Sequence, residues 1–226
     1  MRYWLTLLLF LPIMGCDHTP RAVVRYDRLG RERVEVHLRG ALRDGPVRIM
    51  DTLGRPIKEG RYGRDRRTGT WTTRSGSGEL TGELNYRNGR LDGRARWWST
   101  EGVLLRDEHY VKGELQGPLM HRFPDGSPRM RVAYVDGEAD GDYVRWIREG
   151  PDTNTIRLEG QYDHGECTGL WTSYHPNGRI RGQGSFRRNK RVGEWRTWDS
   201  LGRLEEVRIF RNGKLVRTLS GDASVD

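Results

Sequence analysis

The sequence is nearly without cysteine. Cys16 and Cys167 are the only two in 226 residues, and two cysteines cannot build the disulfide framework of many small exported domains. There is also little to fill a thick core, since 34% of residues are hydrophobic and 31% charged, an apolar share below that of ordinary globular chains. Strong helical periodicity is missing after the first fifteen residues, which argues against a helical fold. No Ser-His-Asp set, phosphate-binding P-loop or dinucleotide fingerprint occurs, so the common catalytic frameworks are absent.

What the chain does have is glycine and aromatic residues in register. It carries 30 Gly, 8 Trp and 9 Tyr, and glycine is about twice its usual frequency. In Tyr86 to Tyr110 an aromatic is followed by Gly93, then Gly102, then the next aromatic, a period of 24 residues. The same unit begins at Leu38, Tyr62, Tyr86, Tyr110, Tyr134, Tyr162 and Phe186, and the series closes at Phe210. The first glycines are Gly45, Gly69, Gly93, Gly117, Gly141, Gly169 and Gly193. The second are Gly54, Gly78, Gly102, Gly126, Gly150, Gly178 and Gly202, and neither column departs from glycine. One unit is longer, around Pro151 to Asn154. A repeat array needs only a thin core, because each unit packs on its neighbours alone.

Each unit reads as a β-hairpin. A strand rich in Trp, Tyr, Val and Thr follows the first glycine, and turns such as Pro124-Asp125-Gly126 and Pro176-Asn177-Gly178 supply left-handed geometry where the chain reverses. Two residues past the first glycine lie Val47, Trp71, Ala95, Leu119, Tyr143, Trp171 and Trp195. By alternation they share a face with the Tyr/Phe landmarks and form the expected core. Five residues past that glycine come Met50, Arg74, Trp98, Arg122, Trp146, Tyr174 and Trp198, which point to the opposite face unless a bulge intervenes. Trp98, Trp146 and Trp198 are then either covered by the sheet or form a binding stripe. The fold class is all-β: an elongated, twisted antiparallel sheet of consecutive hairpins, about 80 Å long for about 16 strands.

The Tyr-x-x-Gly-x-x-x-Gly-x-Trp pattern resembles the MORN repeat in its bacterial variant, over roughly Val23 to Leu219. The resemblance implies the hairpin sheet and a binding or scaffolding surface toward protein or lipid. The variant also occurs in YwqK-family antitoxins, so it implies as an alternative an antitoxin or immunity protein that neutralises a partner.

The N-terminus is different in kind. Met1 to Trp4 is a short basic start, and Leu5 to Ile13 an apolar run too short for a stable bilayer span. It reads as the hydrophobic region of a signal peptide. Gly15-Cys16 at its end resembles the bacterial lipobox, with Ile13 and Met14 in place of the commoner residues. The resemblance implies that Cys16 is lipidated and becomes the N-terminus, and more than one acyl chain makes a stable anchor. Asp17 resembles an inner-membrane retention signal. The expected organisation is a signal peptide over residues 1–15, the lipidated cysteine and spacer over 16–22, the repeat domain over 23–219 and a disordered tail over 220–226.

Other candidate chemistry is thin. Asp136 to Gly141 mimics the start of a calcium loop, but Ile147 stands where a bidentate glutamate is needed. His164, Cys167 and His175 match no zinc spacing. No cofactor or metal is expected. Glu59, Glu83, Asp107 and Glu159 form a column that reads as cross-strand ion pairs with arginine rather than as acid–base pairs. The net charge of +9 concentrates in turns, at Arg64 to Arg67 and at Arg187, Arg188 and Arg191. On an exported protein such charge fits anionic lipid or an acidic envelope polymer better than nucleic acid. The expectation is a non-catalytic lipoprotein on the exported side of a bacterial membrane, binding a protein or envelope polymer.

Overall fold

A computed structural model describes residues 21–26, 33–148 and 155–221. The expected signal peptide, the Cys16 anchor, the 151–154 loop and residues 222–226 lie outside the described residues. The chain forms strands β1 (Arg21–Tyr26), β2 (Arg33–Arg39), β3 (Leu42–Met50), β4 (Pro56–Gly63), β5 (Arg66–Arg74), β6 (Leu80–Arg87), β7 (Arg90–Trp98), β8 (Leu104–Val111) and β9 (Glu114–Leu115). It continues with β10 (Gly117–Arg122), β11 (Pro128–Val135), β12 (Glu138–Arg148), β13 (Thr155–Asp163), β14 (Glu166–Tyr174), β15 (Ile180–Arg187), β16 (Lys190–Trp198), β17 (Leu204–Arg211) and β18 (Lys214–Ser220).

All strands belong to one antiparallel sheet in which each pairs with its neighbours in sequence. The single irregularity in that order is at β8, which pairs with both β9 and β10. These two are halves of one strand interrupted at Gln116, whose N–H still donates to His109 O (2.9 Å). The hairpin reading of the repeat therefore holds along the array. Two boundaries move outward. Arg21 and Ala22, expected in the spacer, pair with Leu38 and His37, and Ser220, expected in the tail, pairs with Glu206. Their backbone groups find ladder partners, which their polar flanks conceal.

The turns take the left-handed backbone the sequence offers. Asn88, Asn189 and Asn212 have φ of 51°, 61° and 49°, a region asparagine tolerates better than most residues. A second irregularity recurs. Residue pairing slips by one between Ile49 and Met50, Thr73 and Arg74, Trp97 and Trp98, Ser173 and Tyr174, and Thr197 and Trp198. The unit with the insertion lacks this bulge and pairs Tyr143 to Arg148 in continuous register. An added loop thus replaces the bulge as the way to end the hairpin.

A row of facing residues crosses the sheet through Val36, Val47, Gly60, Trp71, Leu84, Ala95, Glu108, Leu119, Val132, Tyr143, Gly160, Trp171, Gly184 and Trp195. It holds most of the buried apolar residues, Trp71 and Ala95 among them. The expected core column is there. It is not the whole core, because Met50, Val144, Thr172 and Val207 are buried as well. Val144, Thr172 and Val207 sit one residue out of phase with the core row, on the opposite face. In the ladder Val144 stands between Arg131 and Glu159, Thr172 between Glu159 and Gln183, and Val207 between Arg196 and Leu219, long side chains whose stems can shield the surface beneath.

Candidate functional site

The aromatic face is built by size alternation. Where the central row has tryptophan, the strand beside it has glycine: Trp71 lies over Gly60, Trp171 over Gly160 and Trp195 over Gly184. The rings then interlock edge to face with the landmarks of the adjoining row. Tyr62–Trp71–Tyr86 forms one ladder, with centroids 5.1 and 6.2 Å apart. Tyr162–Trp171–Phe186–Trp195–Phe210 forms a longer one, with spacings of 5.4, 5.7, 4.9 and 6.3 Å. Tyr143 joins its start, 5.4 Å from Tyr162. Such contacts suit the ring quadrupoles and add to the burial energy.

Guanidinium groups cover parts of these ladders. Arg67 lies over Trp71 and Tyr86, at 4.8 and 5.3 Å, and Arg191 over Trp195 and Phe210, at 4.8 and 5.4 Å. Each pairs across its hairpin with a landmark ring, Arg67 with Tyr62 and Arg191 with Phe186. In the hairpin between β13 and β14 the same column holds Cys167, opposite Tyr162. A short thiol stands there in place of a long cation, beside half-buried Tyr162 and Phe186 and buried Trp171. An open groove of about 520 Å³ lies here, lined by these rings with Tyr143, Trp195 and Phe210 and flanked by Arg145 and Arg191. The volume lies within the range of ligand sites. Neither Arg145 nor Arg191 has a carboxylate partner among the described residues, so the groove combines apolar rings with uncompensated positive charge.

The groove falls on one repeat that can be recognised in its own right. The MORN repeat variant model matches residues 168–188. No curated protein matches the chain. The match covers most of β14 and β15, which hold Trp171 and Phe186, and the other units carry the same landmarks in the same registers. MORN repeats are generally binding or scaffolding units rather than catalytic ones.

The residues expected to bind do not converge. Trp98, Trp146 and Trp198 are half-buried and stand on the face opposite the groove. Arg96 lies 5.2 Å over the Trp98 ring while its guanidinium bonds Glu83 (2.5 Å). Arg187 and Arg188 are exposed at the tip between β15 and β16. Of the six, only Arg191 reaches the groove. The acidic column forms the expected cross-strand pairs at Glu59 with Arg48 (3.0 Å) and Asp107 with Arg94 (2.6 Å), whereas Glu159 pairs with Arg157 of its own strand (3.0 Å). His164 approaches Asp163 (2.6 Å) and Asp140 (3.7 Å) in exposed turns, without Cys167 or His175.

One polar cluster was not foreseen. Glu108 occupies the central row, with its side chain 1% exposed. Arg106 donates to Oε1 from Nε and Nη2 (2.9 and 2.6 Å), and Tyr110 Oη donates to Oε2 (2.7 Å). His121 Nε2 lies 2.8 Å from Oε1. Burial pushes the Glu108 carboxyl up, but the hydrogen bonds from His121, Tyr110 and Arg106 outweigh it and hold the group at about 2. The same burial and the Glu108 charge raise Tyr110 to about 12. Every oxygen of the carboxylate is occupied, so the cluster is a structural join between the two aromatic ladders. The sequence carries a signal for it: two residues before each landmark the column reads Gly60, Leu84, Glu108, Val132, Gly160, Gly184 and Arg208, with Glu108 the one acid and Arg208 the one base among small and apolar residues.

Proposed function

We propose that this protein is a non-catalytic lipoprotein of the bacterial cell envelope, anchored through Cys16, whose sheet binds a protein or envelope polymer on its aromatic face. The observation that carries the binding part is the groove over Tyr162, Trp171 and Phe186, with Cys167 at the position that Arg43, Arg67 and Arg191 hold in other units. Arg145 and Arg191 beside half-buried rings suit a partner that presents apolar groups next to negative charge, since cations at the rim of an interface favour partners of opposite sign. The anchoring part rests on Gly15-Cys16 at the end of the apolar run.

Cell fractionation tests the anchor. The wild-type chain is expected in the membrane fraction and Cys16→Ser in the soluble fraction. A Cys16→Ser protein that stays with the membrane removes the lipoprotein assignment.

A further inference from the structure

The face opposite the aromatic groove carries a second depression. It spans β11 to β15 and has a volume of about 550 Å³, within the range of small-ligand sites. Its polar lining stands one residue out of phase with the core row, which turns it away from Trp171 and Trp195. In two other units arginine fills this face: Arg48 closes on Glu59 (3.0 Å) and Arg96 on Glu83 (2.5 Å). At the position of Arg48 and Arg96, three residues past the first glycine of the unit, β12 carries Val144. Glu159 faces Val144 and Thr172 in the ladder. With no cation across from it, it pairs with Arg157 of its own strand (3.0 Å) and accepts from Tyr174 Oη (2.9 Å).

Buried Val144 and Thr172 line the depression together with Leu170, which is 54% exposed. Planar polar groups stand around this patch. Gln183 Nε2 donates to Thr172 Oγ1 (3.1 Å) and Gln161 Nε2 to Asp142 Oδ1 (3.2 Å). These bonds orient both amides, and each amide offers a further N–H and a carbonyl oxygen. The Arg131 guanidinium, also in the lining, has no partner among the described residues. Such a lining excludes several ligand classes. The Asp142 and Glu159 carboxylates oppose an anion, and Arg131 opposes a cation. An apolar ligand would strip water from the amides and charges without replacing its hydrogen bonds, which is costly. A neutral polyol matches, because every hydroxyl both donates and accepts and its C–H groups rest on Leu170 and Val144. We infer that this groove is a carbohydrate subsite for a short neutral oligosaccharide. Arg131, Gln161, Gln183 and Asp142 bond its hydroxyls, and Leu170 lies under a ring face. The site does not depend on the aromatic groove, from which the sheet separates it.

Calorimetric titration of the purified full chain with cellohexaose, maltohexaose and chitohexaose tests the site. These neutral oligosaccharides differ in linkage or in an acetamido group. At least one is expected to bind the wild-type chain. Arg131→Ala and Gln161→Ala, both at exposed positions, are each expected to weaken it about ten-fold, the loss of one or two hydrogen bonds. Their β-sheet circular dichroism spectra should match the wild type. Arg191→Ala, in the aromatic groove, is expected to leave the affinity unchanged. No binding of any of the three, unchanged affinity in either Arg131→Ala or Gln161→Ala, or loss of binding in Arg191→Ala would each overturn the proposal.

Discussion

Trp171 lies flat on Gly160: a Cβ added to that glycine would come within 2.2 Å of the indole Cδ2. The fit recurs at Gly60 under Trp71 and at Gly184 under Trp195, at 2.2 and 2.1 Å. In a one-layer sheet the tryptophan thus packs downward onto backbone, because the described residues supply no second layer to cover it.

Gly160→Ala is therefore expected to displace Trp171 and destabilise the protein by about 1–3 kcal/mol, the usual cost of overpacking. Gly178→Ala has open space around it and serves as the comparison, since its cost comes only from a left-handed backbone. Urea unfolding should show Trp171 fluorescence altered in the native baseline by the first substitution and not by the second.

The tryptophans differ in their N–H groups. Trp171 Nε1 donates to Thr168 O (3.1 Å), whereas Trp71 Nε1 is buried with no partner among the described residues. Trp171→Phe should cost about 1 kcal/mol more than Trp71→Phe, because it alone breaks a hydrogen bond and leaves a carbonyl unpaired. Denaturant midpoints of the two variants check the order.

Acid should loosen the join between the ladders. The folded Glu108 carboxyl sits at about 2 rather than 4.5, so its contribution to stability is present above pH about 4.5 and is lost as the pH falls toward 2. A depression of this size corresponds to about 3 kcal/mol. Other carboxylates are depressed too, including Asp125 at about 2. The test is accordingly the difference between wild type and Glu108→Gln, which should shrink between pH 5 and pH 2 and stay constant above pH 6.

Much of this fold was legible in the sequence. Fourteen glycines in register placed the hairpins, and strand alternation put Trp71, Trp171 and Trp195 on one face with Tyr62, Tyr162 and Phe186. The recurring bulge was not legible, because a one-residue slip at Thr197/Trp198 leaves the 24-residue period intact. The groove was missed for a related reason. Trp98, Trp146 and Trp198 drew attention as aromatics out of phase with the core. The groove follows instead from the run of large rings from Tyr143 to Phe210 with Cys167 beside it, in a column that holds Arg43, Arg67 and Arg191 but also Leu91, Leu115 and Ala139. Glu108 is hard to read from sequence because, in a chain with 31% charged residues, one more acid carries no mark of burial.

The most direct measurement is site-specific photocrosslinking of the full chain in intact cells, with the photoreactive residue at position 191 beside the groove or at position 198 on the opposite face. A discrete adduct to a protein or envelope polymer from position 191, and none from position 198, is the result that binding on the aromatic face predicts. An adduct from position 198 alone, or equal adducts from both, would contradict it.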